Sequence, residues 1–414
     1  MTAASKNPPL LSPLMRWFML AMVLANIAGT MIPLLLPIYL NELGASIGQV
    51  GLVFTLTSVA ILLLQIAGGW ISDSIGRLRA IAFGSLGGII GFSALLAAPS
   101  WQWMLVALVV YQIPFALVGP SFSAFIAENS AEENRGKVYG ITTTIYTITG
   151  IVGPPLGGLL ADRFGFKWML LVAAILYTLA AGLRIWMATT MREQEALEPQ
   201  KLSLKSFGIS MKTILGMTFA GGILTWIFIT DGISDVTNSL SFQLMPLYLK
   251  NISLITVVQI GTLGSLHSIA QIFVPILSGK ISDRYGERVP IAFGFLLEFV
   301  AFYLFLQAKS YPAFAVSWII FGFAGGIMGP AYQSMISKVV PARLLGAFNG
   351  IFYSSLGFIS LPAPWLGAQL WERVNPRLPF IITAAAALVV VLPVWFKFKI
   401  PKKETISMDA VAGT

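Results

Sequence analysis

The 414-residue chain contains no cysteine and one histidine, and only 10% of its residues are charged. Without cysteine there is no disulfide, no thiolate metal site and no thiol nucleophile. Metal-ligand spacings, nucleotide-cradling glycine loops and nucleophile–base pairs are missing too. The sequence therefore argues against an enzyme, a bound metal or cofactor, and transport driven by ATP hydrolysis on this chain. A soluble domain carries roughly 25% charged residues, so most of this surface cannot face water. The net charge of +9 is not gathered on a soluble face, which excludes a nucleic-acid partner.

Apolar residues are abundant: 57% of the chain is hydrophobic and the mean hydropathy is +0.82. They fall in twelve runs, at about 15–40, 48–71, 80–98, 103–126, 138–160, 167–188, 225–249, 255–279, 289–308, 313–336, 345–369 and 378–397. Each is close to the ~20 residues a helix needs to cross the hydrocarbon core. Many of the 39 glycines and 23 prolines lie inside these runs, as membrane helices allow. The first run is too long for a cleaved leader and carries Pro33 and Pro37.

The chain repeats itself. Pro37-Ile38-Tyr39-Leu40 returns as Pro246-Leu247-Tyr248-Leu249, and Gly69-Trp70-Ile71-Ser72-Asp73 as Gly279-Lys280-Ile281-Ser282-Asp283. Gly119-Pro120 returns as Gly329-Pro330 and Gly140 as Gly350, all at an offset of about 210. Two similar apolar halves around one site are the build of a transporter that rocks between two openings. The halves are expected at 1–188 and 225–400, joined by a polar linker at 189–224 with a surface helix and followed by a tail at 401–414. Within the first half, Gly69-x-x-x-Asp73-x-x-Gly76 recurs as Gly158-x-x-x-Asp162-Arg163-x-Gly165 on the other membrane face, the mark of inverted three-helix units.

Orientation follows from the basic residues. With both termini cytoplasmic, Arg163, Lys167, Lys250, Lys309, Arg373 and Arg377 face outward and the other 20 of the 26 face inward. The expectation is a multi-pass protein of a prokaryotic cytoplasmic membrane, acting as a monomer in the bilayer.

Gly69-x-x-x-Asp73-x-x-Gly76-Arg77-x-Arg79 and its copy Gly279-x-x-x-Asp283-Arg284-x-Gly286-x-Arg288 resemble the signature loop of the major facilitator superfamily. The resemblance spans the whole chain and implies an all-α fold of twelve transmembrane helices in two pseudo-symmetric six-helix bundles. It also implies that these loops, with Arg135, latch the halves in one conformation. Ser74 stands where the family usually has a basic residue. In helix 5, Gly150-x-x-Gly153-Pro154-Pro155-Leu156-Gly157-Gly158 looks like the family's antiporter motif, found largely in drug–proton exchangers. That branch usually has an arginine in helix 4, yet Leu105 through Val118 carry no charge, and helix 1 has no acid.

Ionisable groups inside the membrane cost roughly 2.5–3.5 kcal/mol each on insertion scales and ask for a reason. Helix 7 holds Asp231 and Asp235, one turn apart on one face with Asn238 and then Phe242. Asp235 is the favoured proton or cation carboxylate, and by the repeat it faces Asn26 of helix 1. His267, with Gln271 one turn on, is either a relay or a satisfied core residue. Glu298 lies in the middle of helix 9 and must turn inward or stay protonated. Arg184 is expected to snorkel to the headgroups, leaving no strong positive charge for anionic substrates. Tyr111, Gln112, Phe115 and Tyr146 in the first half, and Tyr332, Gln333 and Tyr353 in the second, complete an amphipathic pocket. The reading is secondary transport by alternating access, with protons as coupling ion and export of amphipathic or cationic small molecules. A lipid or glycolipid flippase, a symporter for a neutral solute and a non-transporting membrane sensor stay open.

Overall fold

The computed structural model describes residues 11–75, 77–128, 130, 134–190, 222–340 and 345–399. Its described elements are all helical. The first copy holds α1 Pro13–Thr30, α2 Leu36–Glu42, α3 Ile47–Ile75, α4 Arg77–Ala97, α5 Trp101–Tyr111, α6 Ile113–Glu128, α7 Arg135–Phe164 and α8 Phe166–Thr190. The second holds α9 Ile223–Ser241, α10 Val257–Phe273, α11 Pro275–Tyr285, α12 Arg288–Gln307, α13 Tyr311–Val339, α14 Leu345–Ser360, α15 Ala363–Arg373 and α16 Leu378–Lys397. Among the described residues they supply eight spans long and apolar enough to cross a membrane, one of them running from α5 into α6, or nine if α10 and α11, bent by 41° at their break, form one span. The other three expected spans correspond to α3, to α14 with α15, and to α9 with the irregular helical turns at 242–252. That count is consistent with twelve. Most of the expected linker (191–221), the tail from 400 onward, Gly76 and the side chain of Asp73 lie outside the described residues.

The repeat is visible in how helices break. α1 stops at Thr30 and the chain turns helical again only at Leu36, just before Pro37; its counterpart distorts at 242–252 around Pro246. Proline lacks the N–H its turn needs, so both breaks follow from the repeated Pro-x-Tyr-Leu. The loop motif also has a physical reading. Gly165 and Gly286 end α7 and α11 at φ of 92° and 84°, a backbone region that favours glycine, and their N–H groups close on Ala161 and Ser282.

Two buried cores organise the bundle. One runs through the first half and continues into Leu244–Leu249, α10, α12 and α13 of the second, at the end opposite the chain termini. The other is confined to the second half at the terminal end, around Ile227, Phe295, Phe348, Phe352 and Val390. Among the described residues the halves thus share a core at one end.

Polar contacts between the halves agree. Lys250 Nζ donates to Glu42 Oε1 at 2.6 Å, and Asn251 Nδ2 to Asn41 Oδ1 at 3.1 Å. Glu372 Oε1 accepts from the Gly48 N–H at 2.8 Å, so an acid ending one helix caps the start of α3 in the other half. Toward the termini, Gly136, Gly140, Gly279 and Gly350 have nothing within 4 Å of where a side chain would stand. Among the described residues the halves touch at the opposite end, while toward the termini these four glycines stand clear of any neighbour. Glu42 and Lys250 are both substantially exposed, so their ion pair is worth well under about 1 kcal/mol. The Glu372 cap is worth about 1 kcal/mol. Glu372→Ala is therefore expected to shift the population toward the oppositely opened state about 5-fold, and Glu42→Ala less, as read by spin-label distances across that face.

Candidate substrate and coupling site

The polar face of α9 is built by spacing. Asp231, Ser234, Asp235 and Asn238 recur at three and four residues, so they share one side of the helix. A cavity of about 360 Å³ opens beside it, lined by Asp231, Ser234, Asn238 and Phe242 from α9 and its continuation. His267 of α10, Phe295 and Glu298 of α12, a stripe of α13 from Phe321 to Gln333, and Tyr353 of α14 complete it. Glu298 is only 5% exposed; it turns inward, with Asn238 as its nearest polar neighbour. The buried hydroxyl of Tyr332 faces Asp231 without completing a hydrogen bond, and the buried Asn238 Oδ1 also lacks a donor. Asn238 Nδ2 donates to Ser234 Oγ at 3.1 Å. Two carboxyls, a phenol and an amide thus meet in one apolar chamber, with unused hydrogen-bonding capacity pointing into it.

Asp235 lines an adjoining cleft of about 270 Å³, which it shares with Asp231, Ser234, Asn238 and Tyr353. His267 bonds to Gln271 through Nε2 at 3.1 Å and has the Trp318 carbonyl as its other neighbour. Gln333 Nε2 donates to the Tyr353 hydroxyl at 3.3 Å. The first-half candidates do not join them. Asn26 donates to its own helix at Met22 O. Tyr111 packs edge-on against Phe92 inside the first half, with Gln112 at the break between α5 and α6. Phe115 and Tyr146 are 54% and 49% exposed on that half. Sequence reasoning missed Ser234, Phe295, Phe321 and Met328 as lining residues. Phe321, Met328 and Tyr332 lie at helical spacing on α13, and Phe295 precedes Glu298 by three, so the stripes were there to be read.

One expectation is overturned. Arg184 does not snorkel: α8 continues to Thr190, and the guanidinium is buried, 4% exposed, donating to Ser85 Oγ at 3.3 Å.

The glycines of helix 5 form a seam. A Cβ at Gly157 would lie 2.6 Å from Met31 O, and Gly153 sits against Thr30, so both face α1. Gly158 faces Val257 O at 2.8 Å and Gly150 faces Ser268 Oγ at 3.3 Å, both on α10. Across the seam a Cβ at Gly261 would stand 2.5 Å from Pro154 O. Pro154 and Pro155 cannot donate to the carbonyls of Gly150 and Ile151. Those two carbonyls accept instead from Ser268 Oγ at 3.2 Å and Ser265 Oγ at 2.5 Å of the other half. Adjacent prolines thus free two acceptors that α10 satisfies.

Of the second loop motif, Arg284 lies over the Tyr285 ring, and Arg288 lies over Trp395 at 5.1 Å and donates to its carbonyl. Asp283 and Gly286 line a surface space with both arginines, Glu287 and Lys338. Among the described residues these contacts stay within the second half. In the first copy, Gly69 belongs to α3, Arg77 opens α4 and exposed Arg135 opens α7. Burial alone would raise the Glu287 carboxyl, but Lys338 and Ser334 bind its charged form and hold it below the usual range. A lowered folded value stabilises the protein above the unfolded value and loses that contribution as pH falls through the folded one. The melting-temperature deficit of Lys338→Gln should accordingly be present at pH 7 and shrink as the pH falls below the ordinary glutamate range.

The sequence model of the Major Facilitator Superfamily matches residues 18–252 and 227–409. The chain belongs to this family. It is 26% identical over 368 residues to a multi-drug resistance efflux pump PmrA homolog of Lactococcus lactis subsp. lactis (strain IL1403), covering 84% of this chain and 89% of that protein. It is 25% identical over 327 residues to the class C tetracycline resistance protein of Escherichia coli, covering 78% and 80%. Among solved structures, the nucleoside transporter NupG superposes with a TM-score of 0.76 at 14% identity, over 93% of this chain and all of that one. That likeness shows the fold. As a facilitator, the protein is an integral membrane transporter, and its two six-helix halves are the parts that alternate around a central site.

Proposed function

We propose that this facilitator exports amphipathic or cationic small molecules in exchange for protons, with Asp231 and Glu298 carrying the exchange. The observation that supports this most is the chamber itself: two inward-turned carboxyls with aromatic walls from Phe242, Phe295, Phe321 and Tyr332. A lipophilic cation fits such walls through apolar contact and cation–π attraction, and it competes with protons for the same oxygens. The named relatives are drug and tetracycline pumps, in keeping with that chemistry. The closed end is the outer one if the basic residues mark the cytoplasm, so this conformation loads from inside as an exporter must. His267, already partnered by Gln271, helps hold α10 to α13 rather than relaying protons. The same reading makes the working unit a monomer, since the chamber is formed within one chain.

Competition gives a direct test. Adding a lipophilic cation such as tetraphenylphosphonium to detergent-solubilised protein in weak buffer should release about one proton per molecule bound. Asp231→Asn should lose most of that release while the protein still folds. Binding without proton release in the native chain would refute the exchange.

A further inference from the structure

The first half contains a buried cation that the export reading does not use. Arg184 of α8 is 4% exposed, and Nη1 donates to Ser85 Oγ of α4 at 3.3 Å. Among the described residues no carboxylate lies within ion-pair distance of it. Burying a guanidinium without a counter-charge is costly, and proteins seldom do so.

Its polar surroundings are uncharged hydroxyls. Tyr177, one turn and three residues back on α8, is buried, and its hydroxyl turns toward both Arg184 and Ser85 without completing a hydrogen bond to either. The Tyr111 hydroxyl, next to that of Tyr177, is likewise buried and unpartnered. Both phenols are held in place by one ring: Phe92 stacks on Tyr177 at 4.6 Å and meets Tyr111 edge-on at 5.0 Å. Gly88 leaves the room that Tyr177 needs, because any side chain there would strike the phenol. A guanidinium has five N–H donors and no acceptor, and each hydroxyl adds a proton to give. What converges here is donor capacity and positive charge with no anion to receive them.

We propose that Arg184, Ser85, Tyr177 and Tyr111 form a binding site for a monovalent anion, either a carboxylate group or a halide. The anion supplies the missing counter-charge, accepting from the guanidinium and from the two phenols that now bond to nothing. Tyr146 is the guanidinium's other aromatic neighbour and is 49% exposed. The site lies in the opposite half from the carboxyls of Asp231 and Glu298. It does not depend on the export reading, because the observations behind it involve none of the same residues.

The test is anion-dependent melting of the full-length protein in detergent at pH 7. The reference is sodium methanesulfonate, whose weakly basic anion is neither a halide nor a carboxylate; the other arms are sodium chloride and sodium benzoate at the same ionic strength. Saturable binding to the folded state raises the melting temperature, by about 2–4 °C for a protein of this size at concentrations well above the dissociation constant. A rise in chloride identifies a free halide as ligand. A rise in benzoate with none in chloride identifies the carboxylate of a transported compound. In either case Arg184→Met should show no anion dependence, and in methanesulfonate it should melt no lower than the native chain, since it removes an unpaired charge. Should that variant fail to fold, Ser85→Ala and Tyr177→Phe decide, each expected to weaken the half-saturating concentration about 5- to 10-fold. A native melting temperature indifferent to the anion, or an anion effect that survives in these variants, overturns the site.

Discussion

Glu298→Gln is expected to abolish gradient-driven transport while sparing exchange. The substitution keeps the size and polarity of a side chain that is almost wholly buried in the chamber wall, but the amide can neither take up nor release a proton. A carboxyl at this depth costs roughly 2.5–3.5 kcal/mol on insertion scales, so a neutral amide should be tolerated and should raise the melting temperature slightly. Accumulation against a gradient should fall at least ~100-fold. Counterflow, in which labelled compound exchanges with unlabelled compound and needs no net proton movement, should be retained, because Asp231 still offers the cation a carboxylate. Both are measured in proteoliposomes loaded or unloaded with compound. Retained accumulation in the variant would remove Glu298 from the coupling step and leave it a structural residue, with Asn238 as its partner.

The seam of α7 and α10 is the second place where a small change should have a large effect. At Gly261 the obstacle to a side chain is the Pro154 carbonyl, 2.5 Å from the added Cβ, and at Gly158 it is the Val257 carbonyl at 2.8 Å. Backbone cannot swing aside as a flexible side chain does. Because the two helices belong to different halves, Gly261→Val is relieved by parting the halves rather than by disrupting either core. The variant should therefore fold, melt within a few degrees of native, and be unable to close the end opposite the chain termini. Its transport should fall at least ~100-fold, with spin labels across that end reporting one long distance. Gly140→Ala is the control, since nothing lies within 4 Å of that position, and alanine favours the helix. Ser265→Ala belongs between these extremes. It leaves the Ile151 carbonyl unsatisfied only in the closed state, a penalty of about 1–3 kcal/mol. Native transport rates in Gly261→Val would mean that the seam does not close during the cycle.

Much of this was legible because it depends on spacing. The duplication, the proline breaks at Pro37 and Pro246, and the loop glycines Gly165 and Gly286 follow from local chain chemistry that any copy of the sequence must obey. The shared face of Asp231, Asp235 and Asn238 follows from helical period alone. Which of those acids enters the chamber does not. Two residues one turn apart share a face, and the rotation that sends Asp231 into the main cavity and Asp235 into the neighbouring cleft is set by how α9 packs on α14, α15 and α16. Glu298 was recognisable as costly but not as a chamber residue, because its direction depends on the tilt of α12 against α13. Arg184 was misplaced for a different reason. Its distance from the membrane surface was judged from the end of an apolar run at 188, whereas hydrophobicity says nothing of the Ser85 and Tyr177 side chains waiting inside. The first-half candidate Asn26 illustrates the converse, a residue whose type suits a binding pocket and whose amide instead donates to Met22 O of its own helix. The proline pair of α7 is legible in the sequence only as part of its glycine-proline motif. That it frees two carbonyls for Ser265 and Ser268 is visible only once both halves are in place.

The central claim, proton-driven export through a chamber in the second half, is tested most directly by uptake of a fluorescent lipophilic cation into inside-out membrane vesicles under an imposed proton gradient. The account predicts accumulation by the native chain that collapses when a protonophore is added and is absent from vesicles carrying Glu298→Gln. No uptake by the native chain, where a reference exporter in matched vesicles accumulates the dye, would contradict it, as would uptake that persists after the proton gradient is gone.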